Sequence, residues 1–110
     1  MSRSFLFVPG DSEKKLAKAD HAGADALIID LEDSVQAEAR PAARNLAREF
    51  LSSAHAAHVW VRINALDSVD ALEDLRAVLP GQPHGVVLPK PEGARDVNQL
   101  SMLIDVLEQE

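Results

Sequence analysis

Four short apolar runs recur along the chain: Phe5-Leu6-Phe7-Val8, Ala26-Leu27-Ile28-Ile29, Val59-Trp60-Val61 with Ile63, and Val86-Val87-Leu88. Each is continuous rather than alternating, the pattern of a strand buried on both faces of a parallel sheet. Each is followed by a polar turn and then by a segment with helical spacing. The order β-α-β-α-β-α-β-α calls for a parallel sheet with right-handed crossovers, an α/β fold.

The helix signals are local. The first helix should start near Ser12, with Asp11 or Ser12 as N-cap, and carry Leu16, Ala17 and Ala19. Gly23 follows as a C′ residue. The second runs from Pro41, suited to a first helical turn, through Leu46, Phe50 and Leu51. The third starts after Asp67-Ser68 and carries Val69, Leu72, Leu75 and Leu79 before Pro80-Gly81 breaks it. The fourth follows Glu92-Gly93 with Val97, Leu100, Leu103, Ile104 and Leu107. No linker or low-complexity stretch interrupts residues 1–110, which read as one unit.

Composition removes several function classes. Eleven Lys+Arg against 18 Asp+Glu leave a net charge of -7, which repels phosphate backbones and argues against nucleic acid as a partner. Without cysteine there is no disulfide framework, thiolate metal site or cysteine nucleophile. The N-terminal apolar stretch is too short for a signal peptide, and no run approaches the ~20 residues of a membrane helix. A soluble, cytoplasmic protein with no membrane partner is expected. No glycine-rich phosphate loop, H-E-x-x-H or G-x-S-x-G is present, so nucleophilic hydrolysis lacks its residues.

In a parallel βα array, the segments between a strand end and the next helix share one face, where ligand sites are built. That side holds Pro9-Gly10-Asp11-Ser12, Asp30-Leu31-Glu32-Asp33-Ser34, Arg62-Ile63-Asn64 and Pro89-Lys90-Pro91. His55, His58 and His84 fall on the opposite side with His21 close to it, which argues against a histidine base or histidine metal ligands. Asp30, Glu32 and Asp33 form an acidic cluster suited to a divalent cation with oxygen ligands, or to pairing with arginine. Arg62 interrupts an apolar strand, so its charge needs a carboxylate partner or an anionic ligand; Glu32 or Asp33 is the expected internal partner. Its planar fork suits carboxylate or enolate oxygens. Lys14 and Lys18 share one face of the first helix, either as a solvated face or against a phosphate-bearing ligand.

Four segments carry a resemblance. Arg3-Ser4-Phe5-Leu6-Phe7-Val8-Pro9-Gly10-Asp11, Ile29-Asp30-Leu31-Glu32-Asp33-Ser34-Val35, Val61-Arg62-Ile63-Asn64 and Val87-Leu88-Pro89-Lys90 resemble the citrate lyase beta subunit-like proteins. These belong to the HpcH/HpaI aldolase group, with malyl-CoA and citramalyl-CoA lyases, and the resemblance covers essentially all 110 residues. It implies a TIM barrel that cleaves or forms a carbon–carbon bond in short acyl-CoA thioesters with Mg²⁺, the metal holding substrate oxygens and stabilising an enolate. Arg62 then resembles the arginine on the reacting oxygens. Phe7, Lys14 and Lys18 resemble positions lining the CoA or substrate pocket. Glu32 and Asp33 resemble the acidic pair beside the metal, acting through water or by orienting Arg62. The direct metal ligands are expected beyond Glu110, none of them in this chain.

A full barrel needs about 250 residues and eight strands, and this chain supplies the N-terminal half, four βα units. Either it is a fragment of a longer polypeptide, inactive alone, or the half-barrel closes against another copy or partner. A homo-oligomer is the expected assembly. Two rivals remain open: a non-catalytic acyl-CoA-binding half-barrel, and a small doubly wound, receiver-like signalling domain. The receiver fits the length, but its acids would follow the first strand, and here they follow the second.

Overall fold

The alternation of strand and helix signals produces four parallel strands with helices between them. The computed structural model describes residues 5–53 and 58–89. These form β1 (Phe5–Pro9), α1 (Glu13–His21), β2 (Ala26–Asp30), α2 (Arg40–Ser52), β3 (His58–Arg62), α3 (Asp70–Val78) and β4 (Gly85–Val87). Short 3₁₀ turns at Ala37–Ala39 and Leu79–Gly81 flank α2 and α3. The expected fourth helix, Lys90 and His55 lie outside the described residues.

The caps form as the sequence predicts. The Ser12 hydroxyl accepts from the Lys15 N–H at 3.2 Å, satisfying one of the free donors of the first turn of α1. Gly23 follows the C-cap Ala22 at φ 80°, a left-handed conformation that favours glycine. Pro41 sits in the first turn of α2, where its missing N–H removes no helical bond.

The sheet runs in the order β1-β2-β3-β4, all parallel. In doubly wound folds the strand order reverses at a switch point. No reversal occurs among the described strands, which overturns the receiver-like alternative and matches one arc of a (β/α)8 barrel. The register aligns Phe7 with Ile28 and Trp60, and Pro9 with Asp30 and Arg62. Side chains therefore sort into two faces.

One face is the core. Val8, Leu27, Ile29, Val59 and Val61 pack with Leu16 and Ala19 of α1, Ala43, Ala47 and Leu51 of α2, and Leu75 and Val78 of α3. Leu27, Ile29 and Val61 are fully buried; each such side chain contributes about 1.5–3 kcal/mol of transfer free energy. The other face carries Phe5, Phe7, Ile28 and Trp60, and no helix covers it among the described residues. Trp60 spreads over β4, where a β-carbon on Gly85 would overlap its ring.

Two expectations about burial are corrected. β1 is not buried on both faces: Phe5 and Phe7 are each 57% exposed. Phe5 and Phe7 point to the uncovered face while Val8 packs into the core, and β1 is an edge strand of the described sheet. Val69 and Leu72 do not join the core, with Val69 91% exposed ahead of the first turn of α3. The buried stripe of α3 is instead Ala71, Asp74, Leu75 and Val78. No described helix is long and apolar enough to cross a membrane.

Candidate functional site

The strand ends that share a register bring together the polar residues of three segments. Asp30 closes β2 and Arg62 closes β3, and the parallel register sets them side by side. Arg62 donates through Nε to Asp30 Oδ1 at 2.9 Å and through Nη2 to Oδ2 at 2.8 Å. This bidentate fork is the strong arginine–carboxylate geometry. The backbone N–H groups of Glu32 and Ser34 each donate to Asp30 at 2.9 Å, and the Ser34 hydroxyl donates to Oδ2 at 2.7 Å.

Asp30 is buried, and burial alone would raise its pKa; the donors of Arg62, Ser34 and Glu32 outweigh this and hold the carboxyl well below the ordinary range. Arg62 is held above its ordinary value, chiefly by its hydrogen bonds to Asp30, with the charges of Glu32 and Asp33 adding to the effect. The pair is ionised at every physiological pH.

The expected partner of Arg62 was Glu32 or Asp33; Glu32 does form an ion pair with it, but the closer, hydrogen-bonded partner is Asp30. Asp30 takes the arginine because it is the strand residue in register with it. Glu32 lies two residues beyond the strand, half-buried, with Oε1 3.8 Å from Arg62 Nε. Asp33 is exposed and reaches Arg62 only through its field. The available signal for Asp30 was that the second and third apolar runs each end in one charged residue, Asp30 and Arg62.

Phe7 completes the site from β1, its ring centroid 5.0 Å from the Arg62 guanidinium carbon. Phe7, Val8, Pro9, Asp30, Ser34 and Arg62 line an open groove of about 310 Å³. With Nε and Nη2 on Asp30, Arg62 Nη1 has no hydrogen-bond partner among the described residues. Gly10 allows the β1 turn to close on this site. Its N–H donates to the Asp30 carbonyl at 2.9 Å, and a β-carbon there would come within 3.0 Å of that oxygen.

Lys14 and Lys18 stand exposed on α1 and do not line the groove. Among the described residues no group of three or more His, Asp or Glu could hold a metal ion. Both Asp30 oxygens are already engaged, so the acidic cluster does not fit a magnesium ion by itself. Among the described residues, His21, His58 and His84 lie away from the site. His58 and His84 meet at the opposite strand ends, ring centroids 4.5 Å apart, with Trp60 5.0 Å from His84, and His21 ends α1.

Sequence reading missed two residues behind the site. Asn64 is buried and donates from Nδ2 to the Leu31 carbonyl at 2.9 Å and to Asp74 Oδ2 at 2.7 Å. Asp74, fully buried on α3, also accepts the Asn64 backbone N–H at 2.8 Å and Arg44 Nε at 2.8 Å. The available signal was an aspartate on the apolar stripe of α3, between Ala71 and Leu75.

The model of the family described as HpcH/HpaI aldolase/citrate lyase matches residues 3–110. The citrate lyase subunit beta-like protein of Deinococcus radiodurans is 38% identical over 108 residues, covering 93% of this chain and 38% of that protein. The (3S)-malyl-CoA thioesterase of Cereibacter sphaeroides is 35% identical over 104 residues, covering 93% of this chain and 36% of the enzyme. Among solved structures, the CitE protein of Mycobacterium tuberculosis in complex with magnesium, acetoacetate and coenzyme A superposes with a TM-score of 0.79 at 39% identity. That match covers 91% of this chain and 37% of the mycobacterial one. The chain thus spans little more than a third of the length of these relatives.

Proposed function

Because the chain belongs to the HpcH/HpaI aldolase/citrate lyase family, we propose that it forms the N-terminal half of a carbon–carbon lyase barrel. The complete enzyme acts with Mg²⁺ on short acyl-CoA thioesters of the citryl-, citramalyl- or malyl-CoA type. The observation that carries this reading is Arg62: a guanidinium locked on Asp30 along one edge, lining a groove, with Nη1 unpartnered among the described residues.

In such a cleavage the electron pair of the breaking carbon–carbon bond moves onto an enolate. A cation already fixed beside the developing charge lowers the barrier without reorganising. Asp30 supplies that fixation, and Phe7 floors the groove. Glu32 and Asp33 add negative field around Arg62, which fits the acidic pair beside the metal, acting through water or by orienting the arginine. Lys14 and Lys18, exposed on α1, are assigned to the CoA end of the substrate. Magnesium is a ligand of the mycobacterial relative; the described residues offer it no complete ligand set, so its ligands are placed outside them. The uncovered sheet face supports closure by further protein, with a cytoplasmic homo-oligomer as the assembly.

The test is acyl-CoA cleavage by the complete polypeptide with Mg²⁺. Arg62→Lys keeps the charge but loses the fork, and should lower kcat/KM by about 100- to 1,000-fold. Unchanged turnover removes Arg62 from the chemistry. CoA thioester binding without any turnover in the parent protein replaces the lyase with a binding half-barrel. The 110 residues alone should be inactive, and cleavage at the rate of the complete enzyme overturns the half-barrel reading.

A further inference from the structure

Asp74 belongs to the helix layer, outside the groove, yet it holds both segments that carry the site. Its Oδ2 accepts from the Asn64 backbone N–H at 2.8 Å and from Asn64 Nδ2 at 2.7 Å, and the same Nδ2 donates to the Leu31 carbonyl at 2.9 Å. Leu31 directly follows Asp30, and Asn64 comes two residues after Arg62. The Leu31 N–H closes the loop by donating to the Arg62 carbonyl at 2.9 Å.

The charge at position 74 is not what packing would choose. Asp74 is fully buried between Ala71 and Leu75, on a stripe that continues to Val78. An apolar residue would complete that stripe, and exchanging buried ion pairs for apolar contacts is often neutral or stabilising. What an apolar residue could not do is hold Asn64 and, through it, Leu31.

We infer that Asp74, with Asn64 as intermediary, is a positioning residue that sets the Arg62 guanidinium against Asp30. This rests on the reading that Arg62 meets the substrate. Arg44 orients Asp74, donating Nε to Oδ1 at 2.8 Å while its Nη2 pairs with Asp70. Releasing Leu31 or Asn64 would let the two strand ends slide past each other, and a misplacement of about 1 Å can cost about 100-fold in rate.

Two measurements on the complete polypeptide test it. The first is water exchange of the Arg62 Nε–Hε proton by NMR, assigned by its loss in Arg62→Lys. Asp74→Asn should speed that exchange about tenfold; an unchanged rate overturns the inference whatever the activity. The second is a double-mutant cycle on acyl-CoA cleavage. Asp74→Asn should lower kcat by about 10- to 100-fold with KM changed by less than about twofold, and cause almost no further loss in the Arg62→Lys background. Equal losses in both backgrounds indicate general destabilisation and overturn it. Should Arg62→Lys leave turnover intact, the role of Arg62 fails while the exchange rate still decides the positioning. If Asp74→Asn does not fold, Asn64→Ala removes only the side-chain link and takes both measurements.

Discussion

Arg62 with Asp30 and Arg44 with Asp74 use the same residue types on the same four-stranded α/β unit, yet one pair is open and the other closed. The Arg62 side chain is 25% exposed, spends two nitrogens on one carboxylate and keeps Nη1 beside the groove. The Arg44 side chain is 13% exposed and bridges two carboxylates, Asp74 and Asp70, with Arg40 also on Asp70 at 2.8 Å. Burial works against the charge of Arg44, but Asp74 and Asp70 outweigh it and its pKa rises. The difference separates two uses of a desolvated ion pair. Between α2 and α3 the charges of Arg40, Arg44, Asp70 and Asp74 pair with one another and join the two helices. At the strand ends Arg62 Nη1 has no hydrogen-bond partner among the described residues.

Removing a carboxylate from the closed cluster should have the largest effect. Asp74→Ala leaves the Asn64 N–H unsatisfied and Arg44 with one partner fewer, and should cost about 3–5 kcal/mol in urea denaturation of the complete polypeptide. A loss below about 1 kcal/mol would make the closed cluster dispensable and erase the contrast.

The open pair should cost less and respond to acid. Asp30→Asn should remove about 1.5–3 kcal/mol at pH 7, the scale of hydrogen bonds to a charged group. The folded pKa of Asp30 is depressed, so the unfolded chain binds more protons as pH falls, and the native state is favoured at higher pH. Its contribution is complete above about pH 5, fades through the unfolded carboxylate value near 4, and is lost on the way down to the folded value. Stability curves of parent and Asp30→Asn should therefore converge towards pH 2. Parallel curves over that range would locate the acid sensitivity elsewhere.

The smallest effect is expected at the rim of the closed cluster. The Arg40 side chain is 25% exposed, and Arg40→Met should change stability by only about 0–1 kcal/mol. Its buried Nε has no hydrogen-bond partner among the described residues, which offsets part of what the ion pair contributes. A loss matching Asp74→Ala would make the cluster one indivisible unit.

Much of the architecture was legible because its signals are local. Ser12 caps α1, Gly23 ends it at positive φ, and Pro41 opens α2, each acting within one turn of its own position. The placement of Arg62 at a site-facing strand end was legible too, since a charge inside an apolar run has few other places to go. Its partner was not. Choosing Asp30 over Glu32 needs the exact register between β2 and β3, which depends on where each strand starts. Val69 and Leu72 misled for the opposite reason: their spacing matches a helical stripe, but α3 begins one residue after Val69 and turns other positions inward.

By itself the sequence determined the succession of parallel βα units, the face on which polar chemistry gathers and the absence of cysteine chemistry, because backbone periodicity and turn chemistry are short-range. Only the tertiary structure decided that the strand order never reverses, that Asp30 rather than its neighbours grips Arg62, and that Asp74 reaches across the layers to hold both site segments. Those outcomes depend on contacts between residues ten to more than thirty positions apart. Such contacts are chosen by register and by the satisfaction of buried charge, which no local pattern encodes.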